Sequence, residues 1–378
     1  MRSERRLAAA LAGLALALAA TGATAQILGP KYKSLVFPDA STRLTDSQVA
    51  RVLAVPAADR RKRMNGVLAD RPDDVAAHAL RALSEAETND GAAALVDFEF
   101  VTAASVPDKY TRSYLFQFRA EALMMVGRDA EALTQAEESV ALAPDEPFTL
   151  ITRGWARYLN KQLAGARDDL HAYLVTEPYY GPALYRLAYV LEAQGDYTAA
   201  AEAFTQVEGL RGGSWIRDNV GRVWFGAGQF GRAATIFRAQ LGTRGASSYT
   251  PLWLYLARVR ADVADEAAAR EELAKNAPAH VPRVWVDSIA DFMLGRIDAP
   301  EFRRVADSGL ASGSAANKPD GYPCEADYYT AEVLLAHGDR AAARPLLDEA
   351  VKICPSTYVE TSAAMAEQKL QGWAPTTE

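Results

Sequence analysis

Residues 185–207 of this 378-residue chain read YRLAYVLEAQGDYTAAAEAFTQV. Gly195 stands between an apolar run and an alanine-rich run, and glycine commonly ends a helix. Ala200 follows five residues later, where a small side chain lets a second helix approach the first. The stretch therefore predicts two helices joined by a short turn.

The same pattern recurs along the chain at an interval of 34 residues. Ala132, Ala166 and Ala200 are 34 apart, and Pro144 and Pro178 repeat the interval. This period is typical of a two-helix repeat, in which a single unit cannot bury its apolar face and stacks on its neighbours. The chain is therefore predicted to be an array of helical pairs.

This pattern resembles the tetratricopeptide repeat (TPR) family. Leu184, Leu187 and Ala188 occupy the packing positions of the first helix in that family, and Tyr197 and Phe204 follow at the expected offsets. The resemblance implies an all-α fold, a TPR α-solenoid of stacked antiparallel helix pairs in a right-handed superhelix. The predicted units are residues 75–108, 113–146, 147–180, 181–213, 214–247, 250–280, 281–305 and 324–357.

The first 25 residues predict export. Arg2, Arg5 and Arg6 precede an uncharged run at 7–20, and an A-x-A site follows at 23–25, as in a secretory signal peptide. The uncharged run is shorter than the roughly 20 residues that a membrane span needs. A soluble protein of the bacterial periplasm is the predicted product. The predicted plan is a signal peptide at 1–25, an N-terminal lead with short capping helices at 26–74, an array of about seven units at 75–305, an irregular connection at 306–323, and a C-terminal repeat with a capping helix at 324–378.

Composition argues against several classes of function. A net charge of −7 opposes general nucleic-acid binding, because neutralising phosphates needs a basic surface. With two cysteines, four histidines and no CxxC or HxxxH spacing, no metal site is predicted. The glycines of 226–231 match GxGxxG, but they fall on a repeat turn rather than after a strand, so no cofactor is predicted either.

The histidines argue against catalysis for a different reason. They lie in four separate predicted units, so a catalytic cluster would need residues from distant repeats to converge. The chain is therefore predicted not to be an enzyme. The four are His78, His171, His280 and His337.

The two cysteines lie at the two ends of one predicted helical pair. Cys324 opens the first helix of the last repeat and Cys354 closes its second, and antiparallel helices bring these ends to the same side. In an exported protein, a disulfide between these two cysteines is favoured over two free thiols.

The last fifty residues carry a narrower resemblance, to the C-terminal repeat and following helix of the NlpI-type TPR lipoproteins of the bacterial envelope. Tyr328, Tyr329, Gly338 and the triplet 358–360 carry it. Arrays of that family act as adaptors, which bring peptidoglycan hydrolases together with each other or with a periplasmic protease. The chain lacks the lipid-acceptor cysteine, so membrane tethering does not carry over.

A stacked array of this kind lines a concave groove with the first helix of each unit. Aromatic and arginine side chains, which supply most of the anchoring energy in protein interfaces, are frequent at the predicted groove positions. For any single aromatic, packing between repeats is the alternative interpretation. The candidate protein-binding residues are Tyr114, Gln117, Glu121, Ile151, Trp155, Tyr158, Tyr185, Tyr189, Glu192, Asp218, Arg222, Phe225 and Arg258.

The sequence thus favours an exported, non-catalytic adaptor or scaffold. Its groove is expected to bind proteins or peptides of the cell envelope, with a link to peptidoglycan enzymes or their proteolysis. The alternative is a structural subunit of a secretion or envelope assembly complex, and a homodimer is left open. An enzyme built on an α-solenoid is the third and least favoured hypothesis.

Overall fold

A computed structural model of the chain describes residues 35–38, 42, 44–210, 216–277, 279–280, 283–308, 321–354 and 358–374. These residues form nineteen α-helices and one short 3₁₀ helix, with no β-strand among them. The all-α prediction is confirmed. The predicted signal peptide at 1–25 and most of the connection at 306–323 lie outside the described residues.

The chain divides into two compact units, Met1–Arg186 and Leu187–Glu378. The helices of the first unit are α1 (Asp46–Leu53), α2 (Ala57–Asp70), α3 (Val75–Glu87), α4 (Gly91–Phe98), α5 (Lys109–Met125), α6 (Asp129–Leu142), α7 (Thr149–Leu159) and α8 (Leu163–Thr176). From α2 to α8, each helix packs against the next one along the chain.

Small residues bring paired helices close together. Where α5 crosses α6, the Ser113 Oγ donates a hydrogen bond to the Ser139 carbonyl oxygen at 2.7 Å, and the Ser139 Oγ donates to the Ser113 carbonyl oxygen at 2.8 Å. Ala132 and Ala136 are fully buried at the same contact. The repeating alanine of the sequence pattern therefore marks the contact between the two helices of a pair.

The turn between paired helices needs a left-handed residue. Gly127 and Gly195 have φ of 76°, a conformation that glycine adopts without steric cost. Between them, 34 residues after Gly127, Lys161 occupies the same turn position with φ of 62°. A side chain in this region costs about 1–2 kcal/mol, so the turn is kept in this repeat despite an unfavourable residue.

The second unit, Leu187–Glu378, continues with helical pairs. Helix α9 (Gly181–Ala193) runs across the division between the two units. The following helices are α10 (Tyr197–Gly209), α11 (Arg217–Gly226), α12 (Phe230–Gln240), α13 (Thr250–Ala261), α14 (Glu266–Asn276), α15 (Trp285–Met293), α16 (Ala299–Ser308), α17 (Tyr322–Ala336), α18 (Arg340–Ile353) and α19 (Val359–Leu370). A 3₁₀ turn at Val263–Asp265 precedes α14.

The centre of the second unit is filled by first helices of successive pairs. Helix α13 packs against α11, α15 and α17, and the last helix, α19, packs against α11, α17 and α18. Trp253 of α13 lies within ring contact of Phe225, Tyr328 and Tyr329. The inner side of this unit is therefore an aromatic core that the C-terminal helix helps to cover.

A disulfide closes the last helical pair. Cys324 lies in the first turn of α17 and Cys354 caps the end of α18, with their Cα atoms 5.2 Å apart. The predicted pairing is confirmed. The bond joins residues that are 30 apart in sequence and links the start of α17 to the end of α18.

Candidate protein-binding surface

The predicted groove residues divide into buried and half-buried groups. Eight of the thirteen are buried and pack inside their own unit. The buried ones are Tyr114, Gln117, Ile151, Trp155 and Tyr185 in the first unit, and Glu192, Arg222 and Phe225 in the second. The half-buried ones are Glu121 and Tyr158 in the first unit, and Tyr189, Asp218 and Arg258 in the second.

In the first unit, five side chains from three consecutive first helices meet. We call them the Trp155 cluster: Glu121, Thr152, Trp155, Tyr158 and Arg186. The Tyr158 ring stacks on the Trp155 ring, with centroids 4.6 Å apart, and the guanidinium of Arg186 lies 5.9 Å from the Trp155 ring. The half-buried Tyr158 ring is thus packed against the buried Trp155 ring.

A charged pair borders the same cluster. Glu121 accepts a hydrogen bond from the Thr152 hydroxyl at 3.1 Å, and its Oε1 lies 3.8 Å from Nη2 of Arg186. Burial raises the pKa of the Glu121 carboxyl, and the charge of Arg186 opposes that rise. The cluster therefore combines a stacked aromatic pair with a partly buried pair of opposite charges, the kinds of group that anchor a bound peptide.

In the second unit, Arg222 of α11 joins Glu192 of α9 to the last helix, α19. Arg222 forms two hydrogen bonds with Glu192, at 2.5 and 3.1 Å, and a third with the Ser362 hydroxyl of α19 at 3.1 Å. Tyr189 is half-buried and its hydroxyl accepts a hydrogen bond from Asn219. The pair of Arg222 and Glu192 is thus engaged inside the chain.

Asp218 and Arg258 also have partners within the second unit. Asp218 accepts a hydrogen bond from the Thr250 hydroxyl at 2.9 Å. Arg258 pairs with Asp265 at 2.5 Å and with Glu272 at 2.6 Å. These contacts fix the ends of neighbouring helices, as the packing interpretation of the sequence allowed.

The second unit contains a buried charged network that the sequence pattern does not reveal. Arg260 of α13 pairs with Glu332 of α17 and, at 2.8 Å, with Glu367 of α19, and all three side chains are at most 6% exposed. Burial is the main reason that the pKa of Glu332 rises to about 8, and Glu367 adds to the rise, while Arg260 opposes it. One guanidinium therefore serves two carboxyl groups. No local motif signals this arrangement.

The raised pKa of Glu332 predicts a stability that falls with rising pH. The folded chain holds this proton up to about pH 8, whereas the unfolded carboxyl loses it near its ordinary pKa of 4.5. The stabilising contribution is thus complete below about pH 4.5 and is lost as pH rises through 8. In Glu332→Gln, which mimics the protonated acid, urea unfolding should show a smaller fall in the free energy of unfolding between pH 5 and 8.

The control for this prediction is Glu349→Gln, a change at a half-buried carboxylate of α18 that pairs with Lys352. It should leave the pH dependence of the wild-type chain unchanged. If the free energy of unfolding depended on pH equally in the Glu332→Gln and wild-type chains, the raised pKa assigned to Glu332 would be contradicted.

Three of the four histidines contact groups within their own unit, and the fourth, His171, is exposed. Both ring nitrogens of His78 are within 2.7 Å of protein oxygens, of Asp97 and Pro72, and its ring stacks on Phe100. His280 contacts Asp287, and His337 contacts Glu266. Among the described residues, no three His, Cys, Asp or Glu side chains are grouped so that they could hold a metal ion.

None of the helices among the described residues combines the length and apolarity that crossing a bilayer requires.

Comparisons with solved structures find repeat proteins of low identity. A tetratricopeptide repeat protein from Parabacteroides merdae ATCC 43184 is 10% identical over 77% of this chain and 98% of its own, with a TM-score of 0.44. The C-terminal part of a TPR repeat-containing protein from Cytophaga hutchinsonii is 14% identical over 84% of this chain and 97% of its own, with a TM-score of 0.34. The human IFIT1 dimer with PPP-AAAA is 13% identical over 81% of this chain and 71% of its own, with a TM-score of 0.45.

Comparisons with curated proteins find no match. The resemblance of the last repeat to NlpI-type lipoproteins is not confirmed and stays a prediction. A family model described as the tetratricopeptide repeat matches residues 182–208, which hold all but one residue each of α9 and α10. The chain therefore contains a tetratricopeptide repeat, within an all-α fold of paired helices.

Proposed function

We propose that this protein is an exported, non-catalytic adaptor that binds proteins or peptides of the bacterial cell envelope. The TPR fold is typical of scaffolds for protein–protein interaction. Export is supported by the signal-like residues 1–25 and is compatible with the disulfide of Cys324 and Cys354. The resemblance of the last repeat supports partners that act on peptidoglycan or degrade the enzymes that do.

The observation that carries this proposal is the Trp155 cluster. Its half-buried Tyr158 stacks on a buried tryptophan, and its ion pair of Glu121 and Arg186 lies beside the same rings. A rigid aromatic side chain loses little conformational entropy when a partner covers it. We assign the first contact with an extended segment of the partner to Tyr158.

The experiment is site-specific photo-crosslinking in the native bacterium. A benzoylphenylalanine side chain at position 158 should capture a cell-wall hydrolase or an envelope protease, identified by mass spectrometry. The matched control places the same residue at position 179, where the native Tyr179 is 77% exposed in the same unit and outside the cluster. The captured partner should then bind purified Tyr158→Ala about tenfold or more weakly than wild type.

Each result bears on a different part of the proposal. Equal products at positions 158 and 179, or none at 158, would remove the Trp155 cluster as the binding surface. Products that consist of secretion or assembly components would favour the structural-subunit alternative. Cell fractionation tests export separately, because a periplasmic adaptor must be released with the periplasmic fraction.

A further inference from the structure

The C-terminal helix α19 packs into the second unit through small and polar residues, and none of its large apolar side chains is buried. Its buried residues are Glu360, Thr361, Ala363, Ala364, Ala366, Glu367 and Gln368. Its larger apolar residues are only partly covered: Val359 is 42% exposed, Met365 48% and Leu370, which packs against the turn at Gly228, 43%. This is the reverse of the pattern expected of a helix that belongs permanently to a core.

Polar contacts hold α19 in place. Glu360 accepts a hydrogen bond from the buried Tyr329 hydroxyl at 2.9 Å, and Glu367 pairs with Arg260 at 2.8 Å. Burial raises the pKa of the Glu360 carboxyl, which reflects the cost of placing this charge inside the protein. Because hydrophobic stabilisation scales with the apolar area removed from water, alanines contribute little to offset that cost.

Besides α18, which precedes it in the chain, α19 covers two first helices of the repeats, α11 and α17. Ala366 of α19 lies close to α11. A Cβ atom added at Gly226 of α11 would lie 3.0 Å from the Cβ atom of Ala366. The hydroxyl of Ser362 contacts Arg222, which the sequence predicted to face a ligand. The surface that usually receives a partner in such arrays is therefore occupied by a helix of the same chain.

We propose that this surface is a second protein-binding site, which α19 covers in cis and which accepts a helix of a partner protein with the same chemistry. That chemistry is a pair of carboxylates seven residues apart with alanines between them, as in 360–367. The complementary groups on the array are Tyr329, Arg260 and Arg222. This site is separate from the Trp155 cluster, and the proposal does not depend on binding there.

A helix of another protein can reach this site with fewer restrictions than α19 of a second copy can. Residue 354 is fixed to α17 by the disulfide, and only residues 355–357 separate it from Tyr358. Even when fully extended, a connection of this length spans at most about 14 Å. Two copies could therefore exchange their α19 helices only if the ends of their α18 helices lay side by side. A helix from another protein has no such restriction.

Tethering makes α19 a strong competitor. A short linker gives a tethered segment an effective concentration of about millimolar, so a free helix binds weakly while α19 is seated. Loosening α19 should therefore expose the site without altering it. Ala366→Arg places a long charged side chain against α11, and Glu367→Arg opposes Arg260 with a like charge.

The test uses the full chain and a fluorescent peptide of residues 358–374. Fluorescence anisotropy should show binding to Ala366→Arg and Glu367→Arg about tenfold or more tightly than to wild type. The control, Met365→Arg, changes the neighbouring exposed residue of α19 and should behave as wild type. A peptide with alanine at positions 360 and 367 should lose the binding.

Hydrogen exchange and mass measurement make the outcomes decisive. Faster exchange confined to α19, with protection kept elsewhere, shows release in a folded chain. No peptide binding by either released variant would overturn the proposal. Dimers that form as α19 is released, and that exclude the peptide, would assign the site to a second copy instead. If α19 stayed protected from hydrogen exchange in both variants, it would be a permanent part of the fold, and the proposal would equally be overturned. Crosslinking at position 158 is unaffected by any of these results.

Discussion

Arg260→Ala is expected to lower the free energy of unfolding of the second unit by about 3–5 kcal/mol, because it leaves two buried carboxyl groups without their cation. Glu332 and Glu367 are at most 1% exposed and approach the same guanidinium from α17 and α19. Equilibrium unfolding in urea, followed by tryptophan fluorescence, measures the loss. Trp253 of the same helix lies in the core of this unit and should report it.

The control for Arg260→Ala is Arg304→Ala on α16. Its side chain is 73% exposed and pairs with Glu301 at the surface, where an ion pair contributes about 0–1 kcal/mol. The loss in Arg260→Ala should be larger at pH 9 than at pH 5, because the wild-type Glu332 carboxyl ionises above about pH 8 and is then stabilised by this cation. Equal effects of the two arginine variants would show that the buried network does not stabilise the fold.

The double variant Cys324→Ala/Cys354→Ala is expected to lower the free energy of unfolding by about 3.5 kcal/mol. The disulfide joins residues 30 apart, and the chain-entropy argument assigns its effect to the unfolded state, which regains the freedom of the open loop. Thermal unfolding of the oxidised wild type and the double variant measures the difference. The loss should centre on α17 and α18, which the bond joins.

Thiol titration provides the control for the disulfide prediction. Wild-type protein unfolded without reductant should show no titratable thiol, and reduction should lower its stability towards that of the double variant. Two thiols per unreduced chain would contradict the bond directly. Unchanged stability after complete reduction would contradict its assigned effect.

The repeat was predictable because its determinants are local. Gly195 and Ala200 lie within one helical pair, so each unit carries its own turn and its own close contact. The unit that contains Lys161 lacks the glycine of this local signal. This unit keeps the left-handed turn without the glycine, since the neighbouring helices impose the conformation on an unfavourable residue.

The candidate surfaces were less predictable because they depend on distant contacts. Arg260 reaches Glu332 across 72 positions and Glu367 across 107, and no window of sequence contains these pairs. The periodic pattern identified first-helix residues such as Arg222. It carried no information on which of them the C-terminal helix would cover. Exposure along the first helices was therefore beyond sequence reasoning, whereas their positions in the repeat were not.

The position of α19 in the chain also bears on the order of folding. The ammonium of Lys369 donates to the Gly195 carbonyl oxygen across 174 positions, so this contact closes one of the longest loops in the molecule. Helical pairs form from local contacts and therefore fold early, whereas contacts of such sequence separation form late. Because synthesis proceeds from the N-terminus, the repeats beneath α19 emerge before it does. A newly made chain thus passes through a stage at which its inner helices are assembled and still uncovered.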